Sequence, residues 1–255
     1  MPVEFKRVPA VDKCFAILEL LARTKQPLGI SEISKQLSLN KSTVFNLIHT
    51  LNDLNVLENG TGGKFRFGTL LFTLGNAAGK RSELIQTVHP YLEAISRKTK
   101  LSAFLGIRSG MSAIIVDKVD STLDIKISSE VGMRLPLLAG SGGKALLSLL
   151  PDEDIDRILA RAELTKFTRL TNTDKLDFKK EIEKTRMQGV AYDIEEYIEG
   201  VAALAVPIKA NRPDLQAAVW AVGLKQQLFP EALSEFSGFI KDMANEINQR
   251  FAPAP

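Results

Sequence analysis

The chain has 255 residues, a length that suits two domains better than one. Its composition, 45% hydrophobic and 25% charged residues, is ordinary for a soluble globular protein. We find no apolar run near the roughly 20 residues of a membrane span and no signal peptide, so we expect a cytoplasmic protein with no membrane partner. The single cysteine excludes an intrachain disulfide. Because the chain also has only two histidines, we expect no metal site and no Cys/His catalytic pair, and we expect no cofactor.

The first predicted elements are three helices that share an apolar core. A helix over residues 11–23 carries one apolar stripe, and the helix over 31–37 is too short to stand without it. In the third helix Val44, Leu47, Ile48 and Leu51 follow the period of about 3.6 residues that is typical of an amphipathic helix. Asn40 stands where an N-cap belongs, and we expect its side-chain oxygen to accept the N–H of Ser42 or Thr43.

A glycine-rich turn and a short basic strand follow the third helix. Residues 58–63 are rich in turn formers, and Lys64, Phe65, Arg66 and Phe67 alternate basic with aromatic side chains. This order is typical of a winged helix-turn-helix, which we predict over residues 1–68 as a domain that binds double-stranded DNA. Nine Lys or Arg stand against six Asp or Glu there, so the chain's formal excess of +3 lies in this segment. A helical hairpin that never touches DNA is the alternative.

The polar side of the third helix is the predicted DNA-binding surface. It consists of Lys41, Ser42, Thr43, Phe45, Asn46, His49 and Thr50, with Lys64 and Arg66 added from the wing. We hypothesise that Asn46 and Thr50 contact base edges, because Asn pairs with adenine in the major groove. We expect Lys41, Ser42 and Thr43 to contact phosphates at the start of the helix, and the wing cations Lys64 or Arg66 to contact the adjacent groove. Phe45 and His49 either contact thymine methyl groups or bases, or pack against a neighbouring element.

Residues 69–81 are interpreted as a linker region. Its apolar residues Leu70, Leu71, Phe72 and Leu74 could pack on their own domain or on a second subunit, and the sequence leaves both possibilities open.

Residues 82–255 have the mixed pattern of an α/β domain. Ser82 caps a predicted helix that runs to about Lys98, and residues 101–108 and 112–119 form a predicted antiparallel hairpin. Further strands are predicted at 122–129, where Leu123, Ile125 and Ile127 alternate, and at 190–197, 201–209 and 215–223. Further helices are predicted at 141–150, from Asp152, at 174–187 and from Pro230. The predicted fold class is α+β with two domains, a winged helix-turn-helix followed by an α/β sensor-like domain.

A glycine-rich turn at residues 139–145, AGSGGKA, enters one of these helices. The N–H groups of Ser141, Gly142 and Gly143, together with the helix dipole, suit an anionic or strongly polar group. Two enzyme motifs fail here, because a nucleophile elbow needs Gly in place of Ala139, and a P-loop needs Ser or Thr in place of Ala145. A turn selected only for close packing is the alternative.

The whole pattern resembles the IclR family of bacterial transcriptional regulators. The resemblance rests on residues 11–74, on GMRLPLLAGSGGKALLSLLP (132–151), on YDIEEYIEGVAALAVPI (192–208) and on the closing strand and helix. It implies a winged-helix domain joined by a linker helix to a ligand-binding domain of GAF or PAS type. It also implies a homo-oligomer, either a dimer or a dimer of dimers, on a palindromic operator.

The resemblance further implies an effector site in the second domain. The matching positions are Ser141, Gly142, Asp193, Val201, Ala203, Trp220 and Val222. Gly143, which follows Gly142, is included in the predicted site. Relatives that bind small polar acids often have polar residues at several of these positions, so this site is more apolar. We therefore hypothesise an effector with an apolar or aromatic body and one carboxylate directed at the 141–143 amides. Asp193 and Glu196 would accept from hydroxyl or amine groups or hold the loop, and a solvated pair at a strand end is the alternative.

Three functions are compatible with this organisation. A ligand-responsive transcriptional regulator accounts for both predicted domains and is not an enzyme. A DNA-anchored protein with an enzymatic α/β domain would need a convergent nucleophile and base, and the sequence shows none. An interaction module with a vestigial DNA domain would have lost polar residues such as Asn46, which are present.

Overall fold

The computed structural model describes residues 6–24, 26–80, 82–209 and 215–252. The chain divides into two compact units, residues 1–81 and 82–255. Within the described ranges, no helix combines the length and the apolar composition that a bilayer crossing requires.

The N-terminal unit is a helical core with a small sheet. Its elements are α1 (Pro9–Arg23), β1 (Leu28–Gly29), α2 (Ile30–Leu37), α3 (Lys41–Asp53), β2 (Leu57–Asn59), a 3₁₀ turn (Thr61–Gly63), β3 (Lys64–Phe67) and α4 (Thr69–Lys80). The strands pair antiparallel in the order β1-β3-β2, so the wing is a hairpin of β2 and β3 to which β1 adds a third strand. β1 was not predicted, because its two residues are too few to show a strand pattern. The core is formed by Ile17, Leu21, Leu28, Ile33, Val44, Ile48, Leu51, Leu57 and Phe65.

Asn40 precedes α3 as predicted, but the expected cap hydrogen bond is wrong. Its side chain makes no cap bond, while its backbone carbonyl accepts the N–H of Val44 at 3.0 Å. Asn40 is exposed, so water can satisfy its amide without a cap. Asn40 therefore leaves the N–H groups of Ser42 and Thr43 uncapped at the start of α3.

The C-terminal unit is built on one antiparallel sheet. Its elements are α5 (Glu83–Thr99), β4 (Ser102–Ser109), β5 (Ser112–Val119), β6 (Arg134–Pro136), α6 (Gly140–Leu147), α7 (Asp152–Arg161), α8 (Lys175–Gln188), β7 (Ala191–Ile194), β8 (Val201–Ile208), β9 (Ala217–Leu224) and α9 (Pro230–Arg250). The six strands lie in the order β6-β5-β4-β9-β8-β7. Ser82 caps α5 as predicted, accepting the N–H of Ile85 at 3.4 Å.

The predicted strand at 122–129 is wrong. This segment contains bends and irregular backbone, and Ile125 is 73% exposed. The free edge of β5 is occupied instead by β6, where Ala113 lies opposite Leu135. The alternating pattern of the segment therefore has no ladder partner, and alternation alone does not make a strand.

The two faces of the sheet bury different clusters. Along β4 and β9, Leu105 and Val219 face the helices α5 and α9, whereas Phe104 and Trp220 face the side of α6 and α8. This alternation follows from the two-residue period of a strand. The α5 and α9 side is a packed core, and the α6 side contains the cavity described below.

Candidate DNA-binding surface and ligand cavity

The predicted surface on α3, which we call the α3 face, is Lys41, Ser42, Thr43, Phe45, Asn46, His49 and Thr50. Val44, Ile48 and Leu51 on the opposite side are buried and fix the helix to the core. Every member of the α3 face is exposed except Thr43, which is half-buried. The fold therefore presents one continuous side of α3 to a partner.

Three aromatic rings connect the α3 face to the wing. The rings of Phe45 and His49 lie 4.2 Å apart, and His49 meets Phe65 of β3 edge to face at 6.1 Å. Phe65 is buried, whereas Phe45 is 51% exposed. His49 thus contacts both rings while it is itself exposed, and Phe45 is accessible as well.

The hydroxyl of Thr50 is already engaged on the helix. Its Oγ1 donates to the backbone oxygen of Asn46 at 2.8 Å. Thr50 therefore remains able to accept a hydrogen bond from a partner, whereas the exposed side-chain amide of Asn46 can both donate and accept.

Both wing cations form ion pairs within the N-terminal unit. Arg66 Nε lies 2.6 Å from Glu58 Oε1, and Lys64 Nζ lies 4.0 Å from Glu32 Oε1. These pairs are solvent-exposed, and such pairs contribute only about 0–1 kcal/mol. A phosphate can therefore compete for either cation, at the cost of breaking an existing pair.

A cavity of about 750 Å³, counting its part open to solvent, lies between the sheet and the start of α6. The eight residues named for the effector site all line it: Ser141, Gly142, Gly143, Asp193, Val201, Ala203, Trp220 and Val222. They come from α6, β7, β8 and β9. The antiparallel pairing brings the strand residues together, because Asp193 lies opposite Ala203, which lies opposite Val222.

The other half of the cavity wall consists of residues that were not predicted from the sequence. These residues are Phe104, Ala113, Ile127, Ser129, Met133, Leu135, Pro136, Ala139, Gly140, Tyr197 and Ile198. Phe104 lies opposite Trp220 in the sheet, and their rings meet at 6.4 Å. The side-chain alternation of a paired β4 could have identified Phe104, whereas Ile127 and Ser129 come from the segment that was wrongly predicted to be a strand.

Glycine is required for packing at two positions in the first turn of α6. Gly140 has φ +69°, and a Cβ there would lie 2.9 Å from Asp193 Oδ2. A Cβ on Gly143 would lie 2.0 Å from the backbone oxygen of Leu137. The close-packing explanation thus applies to Gly140 and Gly143, although both line the cavity together with Ser141 and Gly142.

Trp220 is the largest aromatic group of the cavity wall. A Cβ on Gly106 of β4 would lie 1.9 Å from its Cη2, and one on Gly142 would lie 3.3 Å from its Cε3. The indole is therefore held between β4 and α6, where two glycines make room for it.

Asp193 and Glu196 belong to two different sites. Asp193 lines the cavity, is 7% exposed, and accepts the N–H of Glu196 on Oδ1 at 2.7 Å. Burial raises the pKa of Asp193 above its ordinary value. The alternative of a solvated strand-end pair is wrong, because the side chain of Asp193 is buried and that of Glu196 is 20% exposed, beside Lys144.

Glu196 instead contacts a buried lysine. Its carboxylate lies 2.8 Å from Lys144 Nζ, which also donates to Glu181 of α8 at 2.8 Å. Lys144 is only 3% exposed, and burial raises the pKa of Glu196 even though the ammonium opposes that rise. Lys144 therefore fastens the loop after β7 to α6 and α8, next to the cavity.

The polar groups of the cavity wall set its chemistry. Among the residues that the structure describes, the wall contains the acid Asp193, the hydroxyls of Ser129, Ser141 and Tyr197, and no Lys, Arg or His. An anion would therefore depend on N–H groups and hydroxyls for positive partners, and a hydroxyl or amine would find an acceptor in Asp193.

Two family models match the chain. The model of the IclR helix-turn-helix domain matches residues 10–59, and that of the bacterial transcriptional regulator IclR C-terminal domain matches residues 76–249. The regulator XynR of Escherichia coli K12 is 29% identical over 230 residues, 90% of this chain and 91% of that protein. The regulator KdgR of the same organism is 31% identical over 202 residues, 79% of this chain and 76% of that protein.

Solved structures share the fold over nearly the whole chain. An IclR-type transcriptional regulator from Alicyclobacillus acidocaldarius superposes with a TM-score of 0.87 at 20% identity, covering 97% of this chain and 100% of that one. An IclR homolog from Microbacterium hydrocarbonoxydans, complexed with 4-hydroxybenzoate, gives 0.80 at 20% identity and covers 95% and 98%.

Proposed function

The chain belongs to the IclR family of bacterial transcriptional regulators, and on that basis we propose that a small organic effector in the cavity changes its affinity for a palindromic operator. It is a DNA-binding regulator whose C-terminal unit has the family's effector-domain fold. Effector and DNA would then influence each other's binding by the same factor, since coupling between sites is reciprocal.

The α3 face is the proposed contact with DNA. Asn46 would pair with adenine, and Thr50 would accept from a base edge. Lys41, Ser42 and Thr43 would hold phosphates at the helix start, where Asn40 leaves N–H groups uncapped. Lys64 and Arg66 of the wing would contact the adjacent backbone or minor groove after releasing their acidic partners.

A homo-oligomer is proposed because apolar side chains of the N-terminal unit are exposed. Phe72 and Leu74 of α4 are 75% and 55% exposed, and Phe15 of α1 is exposed as well. Exposed apolar side chains of this size support contact with a second subunit, in a dimer or a dimer of dimers. Two-fold symmetry would place two half-sites about one helical turn apart, roughly 10 bp or a multiple of it.

The proposed effector has an apolar or aromatic body and one carboxylate. Phe104, Trp220 and Val222 supply an apolar wall, and the start of α6 supplies the N–H groups and the positive end of a helix dipole. Asp193 would accept a hydroxyl or amine of the same ligand. The ligand of the Microbacterium homolog, 4-hydroxybenzoate, has a ring, a carboxylate and a hydroxyl and is the first compound to test.

The observation that carries the proposal is the joint occurrence of an exposed helix face on a helix-turn-helix and an apolar cavity in the second unit. The first test is selection of genomic fragments by the purified chain at about 0.15 M salt, which suppresses nonspecific phosphate attraction. We expect one or a few palindromic sites. A Lys41→Ala/Asn46→Ala variant should lose them, whereas Lys175→Ala, a cation of the other unit, should keep them. Equal recovery by both variants would contradict the role of the α3 face.

The effector proposal is tested by thermal shift of the full chain. We expect 4-hydroxybenzoate or benzoate to raise the melting temperature more than acetate or glycolate does. Val222→Ser, which makes the wall polar, should reduce that rise, and Ile125→Ser, an exposed residue outside the cavity wall, should not. Stabilisation only by the small hydrophilic acids would overturn this part of the proposal.

A further inference from the structure

Phe45 is an exposed apolar side chain in the middle of a polar surface. It is 51% exposed, while Lys41 and Ser42 lie one turn before it and Asn46 lies beside it. Its only ring contact among the described residues is with His49. The exposed half of the Phe45 ring does not pack in the core of the N-terminal unit, where Val44 and Ile48 fill the buried side of α3.

The orientation of the ring is supported from the wing. His49 lies against Phe45 at 4.2 Å and is itself held edge to face by the buried Phe65 at 6.1 Å. A side chain that is already held in place loses little conformational entropy when it binds. Phe45 is thus a preorganised apolar contact on a helix whose other exposed members are polar.

From these contacts we propose that Phe45 recognises the C5-methyl group of a pyrimidine, thymine in ordinary DNA, and that His49 is a positioning residue for it. The inference rests on the proposed function, since it requires the α3 face to enter the major groove. The thymine methyl is the apolar group that base pairs present there, and Phe side chains are known to contact it.

The neighbouring residue indicates which base pair stands next to that thymine. Asn46 follows Phe45 directly, so their Cα atoms are about 1.5 Å apart along the helix axis and about 100° apart around it, with both side chains on the exposed side of α3. In the major groove we expect them to contact the same or neighbouring base pairs. The hydroxyl of Thr50 donates to the backbone oxygen of Asn46, so Thr50 can only accept from a base edge, whereas Phe45 offers an apolar ring and Asn46 an amide that both donates and accepts. Each half-site should therefore hold a methyl-sensitive thymine at or beside the adenine that Asn46 contacts.

The test removes single methyl groups from the DNA. The operator selected by the wild-type chain is synthesised with deoxyuridine in place of each thymine in turn, at both symmetric positions, and the dissociation constants are measured at about 0.15 M salt. We expect one or two thymines per half-site at which deoxyuridine weakens binding about fourfold per methyl, the value for burying one carbon group. In Phe45→Ala the same substitutions should change binding less than about twofold.

Phe229→Ala is the matched control, because it removes a phenyl ring that is 54% exposed, against 51% for Phe45, from the C-terminal unit rather than from α3. It should keep the wild-type deoxyuridine profile even if overall affinity changes. His49→Ala should shrink the methyl effect without moving it to another thymine. Thermal unfolding of each variant checks that the N-terminal unit is intact.

Two results would overturn the inference while leaving the proposed function in place. One is an operator whose deoxyuridine profile is the same for the wild type and Phe45→Ala. The other is a change of oligomeric state in Phe45→Ala with an unchanged profile, which would assign the ring to a protein interface. Failure to select any operator would instead contradict the proposed function itself.

Discussion

The α3 face and the cavity differ in how they are assembled. The seven residues of the α3 face lie within ten consecutive positions of one helix, and none of them belongs to the buried core. The cavity wall draws on segments from Phe104 to Val222, and about half of its residues are buried. Substitutions on the α3 face should therefore change binding alone, whereas substitutions in the cavity wall should change stability and binding together.

The largest effect should come from Gly143→Ala. The new methyl would lie 2.0 Å from the backbone oxygen of Leu137, so the backbone at residue 143 or at Leu137 must move. We expect a loss of about 3 kcal/mol of unfolding free energy, at the upper end of overpacking effects. Urea unfolding followed by fluorescence measures it directly, because Trp220 is the chain's only tryptophan and lies in the C-terminal unit.

Gly238→Ala is the matched control for that variant. Gly238 lies within α9, and a Cβ there would meet no atom within 4 Å. It should be neutral or stabilise the unit by up to about 1 kcal/mol, since Ala favours helix more than Gly. Equal losses in the two variants would mean that the contact with Leu137 is not the cause.

The next effect, on binding alone, should come from Asn46→Ala. We expect discrimination at one base pair to fall by about 1–3 kcal/mol, roughly five- to 160-fold, with an unchanged free energy of unfolding. Lys41→Ala should instead weaken binding to all sequences and lower the salt slope by about one. Binding-site selection on both variants separates them, and an unchanged base preference in Asn46→Ala would refute the base contact.

A smaller effect, dependent on pH, should come from Asp193→Asn. Burial raises the pKa of Asp193, so the folded state binds this proton more tightly than the unfolded chain does. The ionised carboxylate therefore destabilises the fold above the raised pKa, and this destabilisation disappears as the pH falls towards the ordinary pKa of an aspartate. Asp193→Asn should exceed the wild type in stability at pH 8, and the difference should shrink as the pH falls towards 4.

Asp152→Asn should show the opposite trend. Arg186 lowers the pKa of Asp152, so its ionised form stabilises the fold above the ordinary pKa, and that contribution is lost in acid. The variant should be less stable than the wild type at pH 8 and equal to it below the lowered pKa. Urea unfolding at several pH values tests both, and parallel trends would contradict the assignment for Asp193.

The smallest effect should come from Glu58→Gln. The change frees Arg66 from its ion pair and removes a negative charge near the proposed DNA contact. We expect DNA affinity to rise by at most about fivefold at low salt and to return to the wild-type value as salt is raised. Glu231→Gln removes the same charge from the other unit. A rise of equal size there would indicate net charge rather than Arg66.

Local patterns predicted most of the elements. The start of α3 at Lys41 and of α9 at Pro230 match the prediction, because an apolar period and its flanking residues lie close together in the chain. The predicted strand at 122–129 was wrong. An alternating run forms a strand only if it pairs with a sheet edge, and another segment can occupy that edge. Here β6 occupies it. The predicted cap hydrogen bond of Asn40 was also wrong, because solvent competes with a local hydrogen bond at an exposed site.

The sequence by itself determined the helix-turn-helix, the polar identity of the α3 face and the residues resembling an effector site. Only the tertiary structure decided that those eight residues line one cavity, that two glycines make room for Trp220, and that Glu196 faces Lys144 instead of the cavity. The physical reason is the range of the interactions. Helix period and capping depend on residues within a few positions of one another, whereas strand register, burial of a carboxylate and the contacts of a buried lysine depend on segments far apart in the chain.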